Sequence, residues 1–151
     1  MLKIRKANIK DSVIVSNMIN KLDSELSGIS YTENEDLVKI SGELLHESVN
    51  YIVFLAYEGT DNYVGLISVT ESNAVYAGGR FGIIHELYVT PERRSANIGG
   101  QLFNVVKALG KEKEWKRIEV GAPNSIKWGR TIDFYRRMGF EEIGPRMKFV
   151  L

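Results

Sequence analysis

The strongest constraint on the fold is a change of hydrophobic period around Pro91. Residues 82–90 predict a strand, with Ile83, Leu87 and Val89 at two-residue spacing on one face, whereas residues 98–111 show the spacing of an amphipathic helix. The apolar face of that predicted helix consists of Leu102, Val105, Val106 and Leu109. A strand that leads through a short polar loop into such a helix is typical of a fold in which helices pack on a sheet.

The residues before this segment predict a strand, two helices and a hairpin. Residues 2–5 alternate like a strand, and Asp11 is a candidate N-cap for a helix with Val15, Met18, Ile19 and Leu22 on one face. A second helix is expected over residues 34–46. Two strands follow at residues 51–57 and 63–70, joined by the turn-rich residues 58–62.

The second half alternates strand and helix. We expect a short strand over residues 117–121, a helix over 126–138 that ends before Gly139, and strand character over 140–151 with a turn at Gly144 and Pro145. Antiparallel strands followed by a strand–helix–strand crossover predict a mixed sheet. The expected fold class is therefore α+β (mixed α/β), and 151 residues without a linker indicate one domain spanning residues 1–151.

Composition excludes several classes of protein. The chain has no cysteine, which excludes a disulfide framework, a thiolate metal site and a cysteine nucleophile, and makes the cytoplasm the expected location. The longest uncharged apolar stretch, residues 51–57, is too short to cross a membrane. A pI of about 7.9, without a basic stripe interleaved with aromatics, gives no indication of nucleic-acid binding.

Charge is distributed unevenly along the chain. Residues 1–60 carry six Lys and Arg against nine Asp and Glu, while residues 61–151 carry fourteen against ten. These balances of −3 and +4 fit an acidic half for a cationic substrate and a basic half for an anionic one. They fit two ordinary solvated surfaces as well.

The loop after residue 90 has the features of an anion site. The first turn of a helix leaves backbone N–H groups without intrahelical partners, and the helix dipole favours negative charge there. Asn97 tolerates the left-handed conformation, Gly99 and Gly100 permit close approach, and Arg94 can add positive charge. The alternative is a surface turn whose glycines serve packing.

At these residues the chain resembles the GNAT N-acetyltransferase superfamily. The family pattern is a strand ending L-x-V, followed by P-x-x-[QR]-x-x-G-x-[GA], and here Leu87, Tyr88 and Val89 precede Pro91, Arg94 and Gly99. Asn97 replaces the first glycine of the pattern. The segments 4–7, with Asp11, and 134–140 are also similar to the family, so the resemblance spans nearly the whole chain.

The resemblance implies a fold and a donor site. The fold would be a splayed mixed sheet of about six or seven strands flanked by about four helices. The donor would be acetyl-CoA, with its pantetheine arm along Leu87, Tyr88 and Val89. Its pyrophosphate would lie beside Arg94 on backbone N–H groups of the following residues: Ser95, Ala96, Asn97, Ile98, Gly99 and Gly100.

The resemblance also implies catalytic roles. Tyr135 corresponds to the family tyrosine that protonates the departing thiolate, although its spacing with Trp128 and Ile132 equally fits a core stripe. Trp128 stands where many members have asparagine. Glu86 is the candidate general base, with a solvated carboxylate as the alternative, and His85 is a weaker candidate. The chain has two His-Glu dipeptides, at residues 46–47 and 85–86. Neither has the second histidine of the zinc-binding motif H-E-x-x-H, so no metal is expected.

The sequence constrains the amine that accepts the acetyl group less than it constrains the donor. Acidic residues between positions 31 and 58 suggest a small cationic amine, and a peptide or protein amine stays open. Direct transfer in a ternary complex is expected because a cysteine nucleophile is excluded. Asn97 and Trp128, which depart from the family pattern, keep a second interpretation open: a non-catalytic acyl-CoA-binding module of the same fold. Members of the family often form homodimers, but the sequence identifies no interface.

Overall fold

The computed structural model describes residues 1–47, 49–122 and 128–151. These residues group into two compact units, Met1–Glu119 and Val120–Leu151. The first unit contains most of the sheet and three α-helices, and the second contains one helix and the C-terminal tail.

The sheet has five strands in the order β1-β2-β3-β4-β5 within the described residues. They are β1 Leu2–Lys6, β2 Ile52–Glu58, β3 Asn62–Ala74, β4 Gly79–Val89 and β5 Ile118–Val120. From β1 to β4, each strand is antiparallel to the next. On the far side of β4, Lys116 N–H donates to Arg80 O (2.9 Å) and Gly82 N–H donates to Arg117 O (3.0 Å). Both segments advance in the same direction, so the sheet is mixed, as predicted.

Helices cover both faces of the sheet in the first unit. They are α1 Ser12–Ser27, α2 Glu35–Leu44 and α3 Ile98–Glu112. The apolar face of α1 packs Val15 and Met18 into one core with Leu66 of β3. Adjacent Gly65 instead faces Leu102 of α3, whose Cδ1 would lie 3.4 Å from a Cβ at that position. Because neighbouring strand residues point to opposite faces, α1 and α3 lie on opposite sides of the sheet.

Asp11 occupies the predicted N-cap position of α1, but its side chain does not cap that helix. Its carboxylate accepts two hydrogen bonds from Arg5, at 2.8 and 2.9 Å, and one from the backbone N–H of Asn8, at 2.8 Å. The hydrogen bonds from Arg5 lower the pKa of this buried carboxyl. The predicted N-cap position is therefore confirmed, although the side chain bonds Arg5 and Asn8 instead of the first turn of α1.

The second unit contains α4 Gly129–Arg137, which buries Ile132 and Tyr135. The predicted helix began at residue 126, and residues 126 and 127 lie outside the described residues. The backbone at Gly139 has φ 100°, the left-handed geometry in which glycine commonly follows a helix.

The predicted strand character of the tail was wrong. Residues 140–151 are all described, and none of them belongs to a strand. Gly144 has φ 123° and is followed by Pro145, and the apolar side chains of Met147 and Phe149 are 96% and 88% exposed. With no buried face to stabilise a strand there, the described sheet has five strands instead of the expected six or seven.

No helix in the described ranges combines the length and the apolar character that crossing a bilayer requires.

Candidate active site

A β-bulge shapes the C-terminal part of β4. Ser68 of β3 pairs with Glu86, but the next residue, Val69, pairs with Ile84, so His85 is the extra residue in β4. The His85 ring lies beside Tyr51, with ring centroids 6.3 Å apart, and its Nε2 is 2.7 Å from Thr70 Oγ1. Bulges of this kind re-aim neighbouring side chains and are common beside functional sites.

The carboxylate of Glu86 is bound by two hydroxyl groups. Its Oε1 accepts hydrogen bonds from the hydroxyls of Tyr51 and Ser68. The backbone N–H of Glu86 in turn donates to Ser68 Oγ at 2.9 Å. Ser68 is fully buried, while Tyr51 and Glu86 are half-buried. Glu86 is thus held at both its side chain and its backbone.

The surroundings of Glu86 are negative and partly dehydrated. Burial, and then the charge of Glu86, raise the pKa of Asp23 on α1. The same two effects raise the pKa of the Tyr51 phenol above its ordinary range. We call Glu86, Tyr51, Ser68 and Asp23 the Glu86 cluster. Chemically, it can attract a cation and accept a proton from it.

Three residues after Glu86, β4 ends and the loop to α3 begins. Pro91–Arg93 forms one 3-10 turn, and Asn97 precedes α3 in the left-handed conformation, with φ 57° and ψ 29°. The Asn97 side chain lies over Gly100, where a Cβ atom would approach its Oδ1 to 2.3 Å. The absence of a side chain at Gly100 therefore makes room for Asn97. Ser95 and Ala96 are exposed, Gly99 is half-buried and Ile98 is buried.

Arg94 connects this loop to α1. Its Nε donates to Val89 O at 2.9 Å, and one terminal nitrogen lies 2.7 and 2.8 Å from the two carboxylate oxygens of Glu25. The guanidinium also lies over the Tyr88 ring, 5.7 Å from its centroid. Burial and Glu25 raise the pKa of Tyr88, while Arg94 acts in the opposite direction. Leu87 and Val89, on the other face of β4, are half-buried.

Tyr135 lies in the core of the second unit. It is 9% exposed, and the rings of Phe134 and Phe140 contact it edge-on at centroid distances of 5.4 and 5.5 Å. Burial raises its pKa to about 12, so its hydroxyl carries a proton at neutral pH. Trp128 immediately precedes α4, where its carbonyl accepts from the N–H of Thr131 at 3.0 Å.

Sequence reasoning missed three members of the Glu86 cluster. Tyr51 and Ser68 were assigned only to strands, and Asp23 was not singled out. Ser68 could have been found from an exact β3–β4 register, but the bulge shifts that register within the strands. Tyr51 also lines an open cleft of about 460 Å³, whose other residues include His46 and Glu47.

No group of three or more His, Cys, Asp or Glu side chains able to hold a metal ion occurs in residues 1–47, 49–122 or 128–151.

Comparison with known proteins identifies the family. The model of the acetyltransferase (GNAT) domain matches residues 49–142. No curated protein sequence matches the chain significantly.

Solved structures share the fold over nearly the whole chain. A transcriptional regulator from Bacillus halodurans C-125 superposes with a TM-score of 0.82 at 21% identity, covering 99% of this chain and 100% of that one. An aminoglycoside acetyltransferase from an uncultured soil metagenomic sample, in complex with sisomicin, gives 0.78 at 21%, covering 99% and 96%. A ribosomal-protein-alanine N-acetyltransferase from Brucella melitensis biovar Abortus 2308 gives 0.76 at 14%, covering 100% and 99%.

Proposed function

We propose that this chain, which belongs to the GNAT acetyltransferase family, moves the acetyl group of acetyl-CoA to an amine within a ternary complex. The observation that carries the proposal is the placement of two chemical functions on one strand. β4 presents the carboxylate of Glu86 and, three residues later, ends at the loop that opens α3. A carboxylate able to accept a proton and a helix start able to bind an anion thus lie within one short segment.

The residues around that loop fit the acetyl donor. The first-turn N–H groups of α3 have no intrahelical acceptors and can bind pyrophosphate. Left-handed Asn97 directs the chain into this turn, and Gly100 makes room for the Asn97 side chain. Leu87, Tyr88 and Val89 would line the pantetheine arm. Acetyl-CoA binding, and the splay of the sheet that would admit it, are part of this proposal.

The reaction needs a neutral amine, because an ammonium with a pKa near ~10 has no free lone pair. In our proposal Glu86 takes the amine proton, directly or through water, as the nitrogen attacks the thioester carbonyl. A backbone N–H near the end of β4 stabilises the developing oxyanion. The C–N bond forms, the C–S bond breaks, and Tyr135 gives its proton to the leaving thiolate.

We propose a small cationic amine as the acceptor. Half-buried Glu86 and exposed Asp23 place two carboxyl groups in one region, and the charge of Glu86 raises the pKa of Asp23. A region of this kind attracts cations. The neighbour solved with sisomicin is an aminoglycoside acetyltransferase, which is compatible with this class; the ribosomal-protein-alanine N-acetyltransferase keeps a protein amine as the alternative.

A second candidate is a binding module of the same fold that holds an acyl-CoA without turnover. Two observations favour it: Asn97 and Trp128 depart from the family pattern, and one structural neighbour is described as a transcriptional regulator. Binding of CoA without acetyl transfer to any amine would support this candidate over the enzyme.

The deciding experiment measures thiol release from acetyl-CoA with a colorimetric reagent, across cationic, neutral and peptide amines, with Tyr135→Phe as a variant. The chain contributes no thiol background because it contains no cysteine. We expect amine-dependent release that falls at least tenfold in Tyr135→Phe. For a cationic acceptor, the KM should rise with salt. No release with any amine, despite stabilisation of the protein by CoA, would instead establish the binding module.

A further inference from the structure

We propose that Tyr51 and Ser68 are positioning residues that orient the Glu86 carboxylate toward the acceptor amine. The inference rests on the proposed transferase activity, because both residues would affect the reaction only by orienting Glu86. Neither residue is expected to touch the acetyl donor.

The hydrogen bonds on Glu86 are distributed unevenly between its two oxygens. Both hydroxyl donors, from Tyr51 and Ser68, bind Oε1. Oε2 accepts no hydrogen bond from any described side chain or backbone group. A carboxylate held through one oxygen keeps the lone pairs of the other for a proton or an ammonium group. The arrangement therefore fixes the group and leaves one oxygen for the acceptor.

Ser68 holds Glu86 at two points. Its Oγ accepts the Glu86 backbone N–H at 2.9 Å, so its own hydroxyl proton is directed to Oε1. The serine is completely buried and lies directly opposite Glu86, at the point where the bulge shifts the register. Since a buried hydroxyl is costly unless it is hydrogen-bonded, this geometry is strongly specified.

Tyr51 reaches Glu86 from the chain just before β2. Its ring lies beside His85, the bulge residue, and packs against the core between α1 and the sheet. Its phenol keeps its proton well above neutral pH, since burial and the Glu86 charge both raise its pKa. It is consequently a permanent donor to the carboxylate at neutral pH. Asp23, on α1, is a second carboxyl group in the cluster, and the charge of Glu86 raises its pKa.

The test compares Tyr51→Phe and Ser68→Ala with two matched controls. Tyr63→Phe also removes a phenol at the edge of the same core, one that bonds Arg5 at 2.7 Å. Ser16→Ala also removes a buried hydroxyl, one that donates to Val13 O at 3.0 Å. We expect each test variant to lower kcat about 10- to 100-fold with the acetyl-CoA KM unchanged. The controls should keep kcat within about twofold of wild type, whatever their melting temperature.

A double-mutant cycle separates positioning from general damage to the fold. If Tyr51 acts through Glu86, Tyr51→Phe should have less than about a twofold effect on kcat in a Glu86→Gln background. Equal effects in both backgrounds would overturn the proposal. So would a wild-type kcat in both Tyr51→Phe and Ser68→Ala, which would leave the transferase activity itself established.

A measurement that needs no turnover reports the same contacts. In protein labelled with ¹³C at glutamate side-chain carboxyls, the Glu86 signal, assigned through Glu86→Gln, should shift in both test variants and stay fixed in both controls. An unmoved signal in the test variants would show that the hydroxyls do not hold the carboxylate. Complete absence of acetyl transfer in the wild-type protein would overturn the proposed function. It would also overturn the proposed positioning role of Tyr51 and Ser68.

Discussion

The Glu86 cluster and the loop after β4 lie next to each other on one strand but are built in opposite ways. The loop is local: Arg94, Asn97 and Gly100 fall within seven consecutive residues. The cluster is assembled from distant parts of the chain, because Tyr51 is 35 residues and Ser68 is 18 residues from Glu86. A local loop can be recognised in a sequence, whereas an assembled cluster becomes visible only in the folded chain.

The two regions also differ in their electrostatics. In the cluster, the charge of half-buried Glu86 disfavours ionisation of the exposed Asp23 carboxyl and raises its pKa. In the loop, Arg94 balances Glu25 and lies over Tyr88. This difference suits a division of labour in which the cluster serves a cationic acceptor and the loop serves an anionic donor.

The largest effect is expected from Glu86→Gln. The amide cannot take the amine proton, so kcat should fall by about 100-fold or more, while stabilisation of the protein by CoA persists. Initial rates at saturating acetyl-CoA check this. Glu112→Gln, which changes an exposed carboxylate at the end of α3, is the control and should leave the rate unchanged. A Glu86→Gln protein with full activity would remove the cluster from the reaction.

A smaller effect, on the donor alone, is expected from Gly100→Ala. Its Cβ would meet the Asn97 amide oxygen at 2.3 Å and displace that side chain. We expect the acetyl-CoA KM to rise by up to about tenfold, which corresponds to about 1.4 kcal/mol of lost binding free energy.

Asn97→Gly supplies the matched rescue. Glycine adopts φ 57° readily and has no side chain to clash, so Asn97→Gly/Gly100→Ala should recover most of the lost affinity for acetyl-CoA. If the double variant were as impaired as Gly100→Ala, the clash with Asn97 would not be the cause.

Alkaline pH should distinguish the phenols of the two regions. The folded-state pKa values of Tyr51 and Tyr88 are both raised, so the stabilisation they give is present below pH ~10 and is lost as pH rises further. Arg94 offsets the shift only at Tyr88. Urea unfolding between pH ~8 and ~11 should therefore show a decline in the free energy of unfolding that Tyr51→Phe reduces more than Tyr88→Phe does. The opposite ranking would mean that the cluster is less negative than its contacts indicate.

The smallest effect is expected from Glu25→Gln. Glu25 holds the guanidinium of Arg94, so neutralising it should free Arg94 for donor phosphates and lower the acetyl-CoA KM about two- to fivefold. Glu114→Gln, which removes the looser 3.7 Å pair with Arg80, should have no effect on that KM. A rise in KM with Glu25→Gln would show that this ion pair supports the loop instead of competing with phosphate.

Much of the fold could be predicted because hydrophobic periodicity and the residues that begin or end helices are local signals in the sequence. The change from alternation to helical spacing placed β4 and α3, and Asn34 and Gly139 mark helix ends where expected. The tail could not be predicted in the same way. Residues 140–151 contain apolar residues, but a strand also needs a neighbouring strand and a buried face, which sequence period alone does not reveal.

In the candidate site, too, the local features could be predicted from the sequence and the long-range contacts could not. The loop residues could be named from their spacing and from the resemblance to the family. The bonds of Ser68 to Glu86 depend on a bulge at His85, and the bonds of Arg94 to Glu25 join residues 69 positions apart. Such contacts follow from the register of the sheet and the packing of α1, so no short motif records them.

Two-substrate initial-rate kinetics on one amine, comparing Gly100→Ala and Glu86→Gln with the wild-type protein, would test the division of labour most directly. We predict that Gly100→Ala raises the acetyl-CoA KM with little change in kcat, and that Glu86→Gln lowers kcat with the acetyl-CoA KM unchanged. A Glu86→Gln variant that loses affinity for acetyl-CoA but keeps its kcat would contradict the assignment of the cluster to the acceptor and the loop to the donor.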